Sequence, residues 1–153
     1  MNRGDEPWLA WCDGTASPNP GRIGLGVVLV SPDGERQEMS RPSGHSGCNN
    51  EAELRAIGAA LDLARKHGAR TLNLGSDSRF AIDCLTGIDS TEVARLADLL
   101  ATLREALTGF DCVALRWLPR HRNGEADRLA RAALGLTPKP STGKSKRPKK
   151  RRR

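Results

Sequence analysis

The run IGLGVVLVS at residues 23–31 constrains the fold more than any other feature of the chain. It is rich in β-branched residues and reads as a strand. It lies between two turn-forming segments, DGTASPNPG before it and SPDG after it. The run ahead of the first turn, PWLAWCD, is short, apolar and ends on an acid, which predicts a buried strand. The segment after the second turn, ERQEMS, alternates in polarity and predicts a third strand that closes a hairpin. The first 40 residues therefore predict an antiparallel β-meander.

The remainder alternates differently. In GCNNEAELRAIGAALDLA, Leu54, Ile57, Leu61 and Ala64 recur at helical spacing. This predicts a helix from about Asn50 to His67–Gly68, with Gly68 as the residue that closes it. TLNLGSD then reads as a strand, and Arg79 to Leu85 as a short helix. Asp89 and Glu92 are spaced like a capping box ahead of a helix over about 91–108. FDCVALRWL predicts a last strand and GEADRLARAALG a last helix ending at Gly135. The order βββαβααβα predicts a mixed sheet with helices packed against it, since hairpins supply antiparallel pairs and crossovers parallel ones.

With 153 residues the chain has the length of one domain. No run of about 18 apolar residues exists, so no membrane span is expected. MNRGDEPWLAW lacks the apolar core of a signal peptide, which predicts an intracellular protein. Cys12, Cys48, Cys84 and Cys112 form no C-x-x-C pair, which argues against zinc; three lie beside apolar segments and are expected as buried free thiols. Aromatic residues make up 3% of the chain and tyrosine is absent, which argues against a stacking-based single-strand binder; Trp8, Trp11 and Trp117 are expected in core or rim packing. The net charge of +7 divides unevenly. Nine Lys or Arg and no acid lie from Lys139 onward, leaving 16 basic against 18 acidic residues, a formal charge of −2, on the body. A folded unit over residues 1–136 and a disordered basic tail over 137–153 are expected.

The acids carry the chemistry. Glu53 lies beside an apolar helical stripe, where an unpaired charge is costly to bury. Asp13 ends the first strand and Asp77 the fourth, and Asp127 opens the last helix. Strand ends and helix starts can meet at one rim of a sheet. Carboxylates gathered there raise one another's pKa, and a divalent cation removes the conflict. Oxygen-only ligands suit Mg²⁺ or Mn²⁺. Taken singly, each acid also has a plain structural account: a turn at Asp13–Gly14, a helix cap at Asp77, a dipole partner at Asp127.

The segments around these acids decide between the accounts. WCDGTASPNPG at 11–21, NNEAEL at 49–54, SDSRF at 76–80 and RHRNGEADRLARAAL at 120–134 together resemble the type 1 ribonuclease H family, in its order and over roughly residues 8–135. The resemblance implies a ribonuclease H-like α/β fold: a five-stranded mixed sheet, the first three strands antiparallel and the rest parallel, flanked by helices. It implies an endonuclease that hydrolyses the RNA strand of RNA–DNA hybrids with two metal ions, leaving 3′-hydroxyl and 5′-phosphate ends. Asp13, Glu53, Asp77 and Asp127 match the family's metal-binding acids, for two Mg²⁺ or possible Mn²⁺ ions. Gly14, Asn19, Asn50 and Arg79 fall on substrate-contacting positions, and His121 on that of a mobile histidine that moves protons or aids product release. His121 also has a simpler account as a surface histidine between two arginines. The partner implied is the hybrid, for a monomeric cytoplasmic protein, or a nuclear one in a eukaryote.

The chain departs from many bacterial members in one respect. Residues 89–109 hold Asp89, Glu92, Asp98 and Glu105 against Arg95 and Arg104, so no basic protrusion for gripping the hybrid is evident. The tail, through Lys146, Arg147, Lys149, Lys150 and Arg151, is expected to supply auxiliary phosphate contacts. It also fits an import signal, a solubilising end, or an anchor to a ribosome or nucleoid. Two rival functions stand beside the hybrid nuclease: a non-catalytic nucleic-acid-binding module on the same scaffold, and a related nuclease acting on double-stranded RNA or junctions.

Overall fold

A computed structural model describes residues 6–137. The tail residues Lys146, Arg147, Lys149, Lys150 and Arg151 lie outside the described residues. The elements run β1 (Trp8–Ser17), β2 (Gly21–Val30), β3 (Arg36–Gly47), α1 (Asn49–Lys66), β4 (Thr71–Ser76), α2 (Arg79–Leu85), α3 (Ala94–Leu107), β5 (Cys112–Trp117) and α4 (Gly124–Ala133), with one 3-10 turn at Arg120–Arg122. The five strands form one sheet in the order β3-β2-β1-β4-β5. β1 is antiparallel to β2 and β2 to β3, while β4 is parallel to both β1 and β5. This is the mixed sheet that the element order predicts. Among the described residues, no helix is long and apolar enough to cross a membrane.

β2 shows how the sequence sorts the two faces of the sheet. Its odd-numbered residues Ile23, Leu25, Val27 and Leu29 belong to the main core with Leu54, Ile57 and Leu61 of α1. Leu96, Leu100 and Leu103 of α3 pack on the outer side of that core. The even-numbered positions face α4, where two glycines let the helix come close: a Cβ on Gly26 would stand 2.2 Å from the Ala126 carbonyl oxygen. The same device brings α1 onto β1, since a Cβ on Gly14 would stand 1.9 Å from the Ala52 carbonyl oxygen. Both helices therefore cross the sheet at backbone contact beside Asp13.

Four expectations need correction. β1 does not end at Asp13 but continues to Ser17, because Gly14–Ser17 pair with Leu25–Arg22 of β2. β3 likewise runs past Ser40 to Gly47, where pairing with β2 outweighs the turn-like composition of RPSGHSG, through an irregularity between Arg22 and Gly24. The Asp89–Glu92 capping box does not form: α3 begins at Ala94, with Val93 at its cap, and the Asp89 carboxylate accepts from its neighbour's N–H on Ser90. Of the cysteines, Cys12 and Cys84 are buried, Cys48 is partly covered and Cys112 is exposed, because it opens edge strand β5.

Candidate active site

The parallel register of β1 and β4 pairs Cys12 with Ser76. The next residue after each is an acid, so Asp13, within β1, and Asp77, just past the end of β4, stand side by side. The close approach of α1 at Gly14 delivers Glu53 to the same place, and the Glu53 Oε1 accepts from the Gly14 N–H at 3.2 Å. One carboxylate oxygen from each of Asp13, Glu53 and Asp77 lies within 4.8 Å of the others. The approach of α4 at Gly26 sets Asp127, in the helix's first turn, within side-chain hydrogen-bonding reach of Asp13. Asp127 stands outside the 4.8 Å group but joins it through Asp13.

Asp13 is 4% exposed. Its carboxyl is raised far above the usual carboxylate range, by burial first and then by the charge of Glu53, with Asp77 adding to it. Glu53 is raised too, again chiefly by burial, while the Asp13 carboxyl, the Gly14 N–H and the Arg120 guanidinium offset part of the effect. The Glu53 Oε2 is buried and meets no hydrogen-bond donor among the described residues. A set of hard oxygens that repel one another, with one buried oxygen unsatisfied, fits a divalent cation of the Mg²⁺ type.

Other residues hold the cluster in shape. Asn123 is 2% exposed; its Nδ2 donates to the Asp77 Oδ2 at 3.1 Å and to the Cys12 carbonyl at 2.9 Å. Ser78, not Asp77, caps α2 by accepting from the Ala81 N–H at 3.1 Å, which leaves the Asp77 carboxylate to the cluster. The Asn19 Oδ1 accepts from the Asn49 N–H at 3.0 Å, and the Asn49 Oδ1 from the Ala16 N–H at 3.1 Å, so two asparagines lace the β1–β2 turn to the start of α1. Asn50 and Arg79 are exposed near these acids in sequence. His121 is exposed on the 3-10 turn and is not part of the acid group; it lines a cavity of about 530 Å³ with Trp11, Arg36, Arg122 and Arg128.

Sequence reasoning missed three of these residues. Asn123 and Arg120 lie within a quoted segment, but their partners come from β1, β4 and α1. Glu51, 1% exposed, is more deeply buried than Glu53, and pairs with Arg55 at 3.0 Å and Arg95 at 2.7 Å. Its i,i+4 spacing to Arg55 was the available signal.

Comparison with known proteins agrees with this fold. Residues 11–133 match the family model described as reverse transcriptase-like. The ribonuclease HI of Halobacterium salinarum is 38% identical over 125 residues, which are 82% of this chain and 63% of that protein; the chain thus spans less than two thirds of this relative's length. A ribonuclease H of Roseobacter denitrificans is 32% identical over 146 residues, covering 82% of this chain and 94% of that protein. Among solved structures, RNase H1 from Halobacterium salinarum superposes with a TM-score of 0.81 at 37% identity, over 85% of this chain and 98% of that one. LC11-RNase H1 in complex with an RNA/DNA hybrid gives 0.76 at 25% identity, over 84% and 96%.

Proposed function

The chain belongs to the ribonuclease H family, and from that premise we propose that it is an endonuclease hydrolysing the RNA strand of RNA–DNA hybrids, with two divalent cations and 3′-hydroxyl and 5′-phosphate products. The observation that carries this reading is the convergence of Asp13, Glu53 and Asp77 on a space 4.8 Å across, with the Glu53 Oε2 left without a donor. Such a cluster repels phosphate, so a chain that only bound nucleic acid would be better without it. The hybrid as substrate is supported by the relative whose structure contains one.

In this reading Asp13, Glu53, Asp77 and Asp127 would hold Mg²⁺ or Mn²⁺. Bound cations of this kind supply activation of water and stabilisation of the departing 3′ oxygen. The chain's own residues do the rest. Asn123 fixes the rotamer of the Asp77 carboxylate through its 3.1 Å hydrogen bond. Arg120 keeps positive charge near Glu53. Asn19 gives its Oδ1 to the α1 N-terminus, which leaves its amide N–H groups to meet a 2′-hydroxyl; Asn50, exposed in the first turn of α1, offers a second amide. Gly14, expected to admit the substrate strand, admits α1 and so places Glu53, and Arg79 meets phosphate. His121, exposed on the turn that precedes Asn123, is the candidate to move a proton at the leaving side or to free the product. The reading carries with it a monomer acting in the cytoplasm, or in the nucleus of a eukaryote, with the segment beyond residue 136 as an auxiliary phosphate contact.

The test uses one end-labelled RNA strand, presented alone, paired with DNA and paired with RNA, in Mg²⁺ or Mn²⁺, with Asp77→Asn alongside. Cleavage of the hybrid alone, lost in the variant, is the expected result. Cleavage of the RNA duplex would redirect the assignment to a double-strand nuclease. Binding without cleavage in either metal would replace it with a non-catalytic module.

A further inference from the structure

Phosphates drawn toward a carboxylate cluster need cations beside it. The segment joining α2 to α3, residues 86–93, contains no Lys or Arg. A cation is instead held at the rim by stacking: the Arg79 Cζ lies over the Trp117 ring, 4.0 Å from its centroid. Trp117 ends β5, where it pairs with Ser76 of β4. Its indole N–H donates to the backbone carbonyl of Asp77 at 3.2 Å. Trp117 is 41% exposed, so packing alone does not account for a tryptophan there. It does two separable jobs: its edge grips the strand end that carries Asp77, and its face supports the guanidinium two residues on.

A guanidinium lying over an aromatic face keeps its N–H donors directed outward, and that fork suits phosphate. The stack also lowers the entropy Arg79 must lose on binding, because the long side chain is already placed. We infer that Trp117 is a positioning residue that sets Arg79 as a phosphate clamp for the nucleic-acid strand entering the carboxylates, and that its N–H holds the clamp in register with Asp77. This rests on the nucleic-acid substrate proposed above.

The experiment measures binding of a labelled RNA–DNA hybrid in EDTA across a salt series, and steady-state cleavage in Mg²⁺, for the full chain and for Arg79→Gln, Trp117→Leu, Trp117→Phe and the Arg79→Gln/Trp117→Leu double variant. Loss of one phosphate contact lowers the log–log salt slope by about 0.7–0.9. That drop is expected in Arg79→Gln and, in large part, in Trp117→Leu. Losing a surface cation–π contact weakens binding about 2- to 5-fold, and the double variant binds no worse than Arg79→Gln alone. Trp117→Phe keeps the face and loses the N–H, so it recovers most of the affinity lost in Trp117→Leu while sharing its fall in kcat. A full salt slope in Trp117→Leu, additive losses in the double variant, or Trp117→Phe binding as poorly as Trp117→Leu would each overturn the inference. Failure of the nuclease reading looks different: the wild-type chain then cleaves no hybrid while the binding pattern of the variants persists.

Discussion

The Asn123 side chain donates to the Asp77 carboxylate at 3.1 Å while the same nitrogen donates to the Cys12 carbonyl at 2.9 Å. One buried amide thus bridges Cys12, within β1, and Asp77, just past β4, beside the acids of the site. Asn123→Ala removes both bonds, and a buried carbonyl left without a donor costs about 1–3 kcal/mol. Losing an outer partner of a metal-holding carboxylate typically costs about 10- to 100-fold in activity or metal affinity. Thermal melts should show a lower Tm and hybrid cleavage a lower kcat. Asn123→Asp should be worse for activity, since it adds a further negative charge beside Asp77. An Asn123→Ala variant with unchanged kcat would show that Asp77 is held without it.

Close helix approach is a second claim that a single atom tests. A Cβ on Gly14 would stand 1.9 Å from the Ala52 carbonyl oxygen and 2.9 Å from the Glu53 N, all backbone atoms that cannot swing aside. Gly14→Ala must push α1 from β1, and overpacking of this kind costs about 1–3 kcal/mol or more. Activity should fall further than stability, because Glu53 moves with the helix. Gly124 has nothing within 4 Å of a built Cβ, so Gly124→Ala should leave Tm unchanged or slightly raised. Equal effects of the two substitutions would contradict the account of how Glu53 reaches Asp13.

The acid cluster also makes a signed prediction about pH. Without cations, Asp13 and Glu53 hold protons more tightly in the folded chain than in the unfolded one. The folded state then binds more protons above the unfolded carboxylate range of about 4, and its stability falls as pH rises toward the raised values. The contribution is fully present below that range and lost as pH climbs through the folded pKa values. Asp13→Asn removes the most strongly raised group. In EDTA it should melt above wild type, by about 3 °C or more at pH near 8 and by less near pH 5. Mg²⁺ should raise the wild-type Tm and narrow the gap. A variant advantage larger at the acidic end would reverse the sign and refute the electrostatic account.

How far the sequence disclosed this molecule depends on how local each signal is. α2 runs over Arg79–Leu85 as its pattern predicts, and Leu54, Ile57 and Leu61 are buried as their spacing requires. Asp77 was legible as the acid that follows a strand, because the end of β4 is marked by its neighbours in sequence; Asp13 was read the same way, but β1 runs on to Ser17 and places it within the strand. Glu53 was conspicuous by its position beside an apolar stripe. Glu51 was not, although it is the more buried of the two, because Arg95 reaches it from another helix. The same limit hid Asn123, whose two acceptors lie on β1 and just beyond β4. It also hid the second half of β3, where RPSGHSG looks like a turn until β2 is beside it. The missing information is tertiary in every case: a partner supplied by another element.

The basic segment supplies the last prediction. Residues 139–153 carry nine Lys or Arg and no acid, while the body is slightly acidic. Charge of that density binds phosphate by counterion release, without sequence preference. If the segment neutralises four phosphates, it contributes about 3 to the log–log salt slope of hybrid binding. Deleting residues 139–153 should therefore raise KM most at low salt, flatten its dependence between about 50 and 200 mM salt, and leave kcat within a small factor, since the acids lie elsewhere. Steady-state cleavage at several salt concentrations separates the roles. A KM that the deletion leaves unchanged across the series would exclude substrate contact and leave targeting or anchoring as the work of this segment. A collapse of kcat would instead place the basic segment within the reaction itself, against the assignment of chemistry to Asp13, Glu53, Asp77 and Asp127.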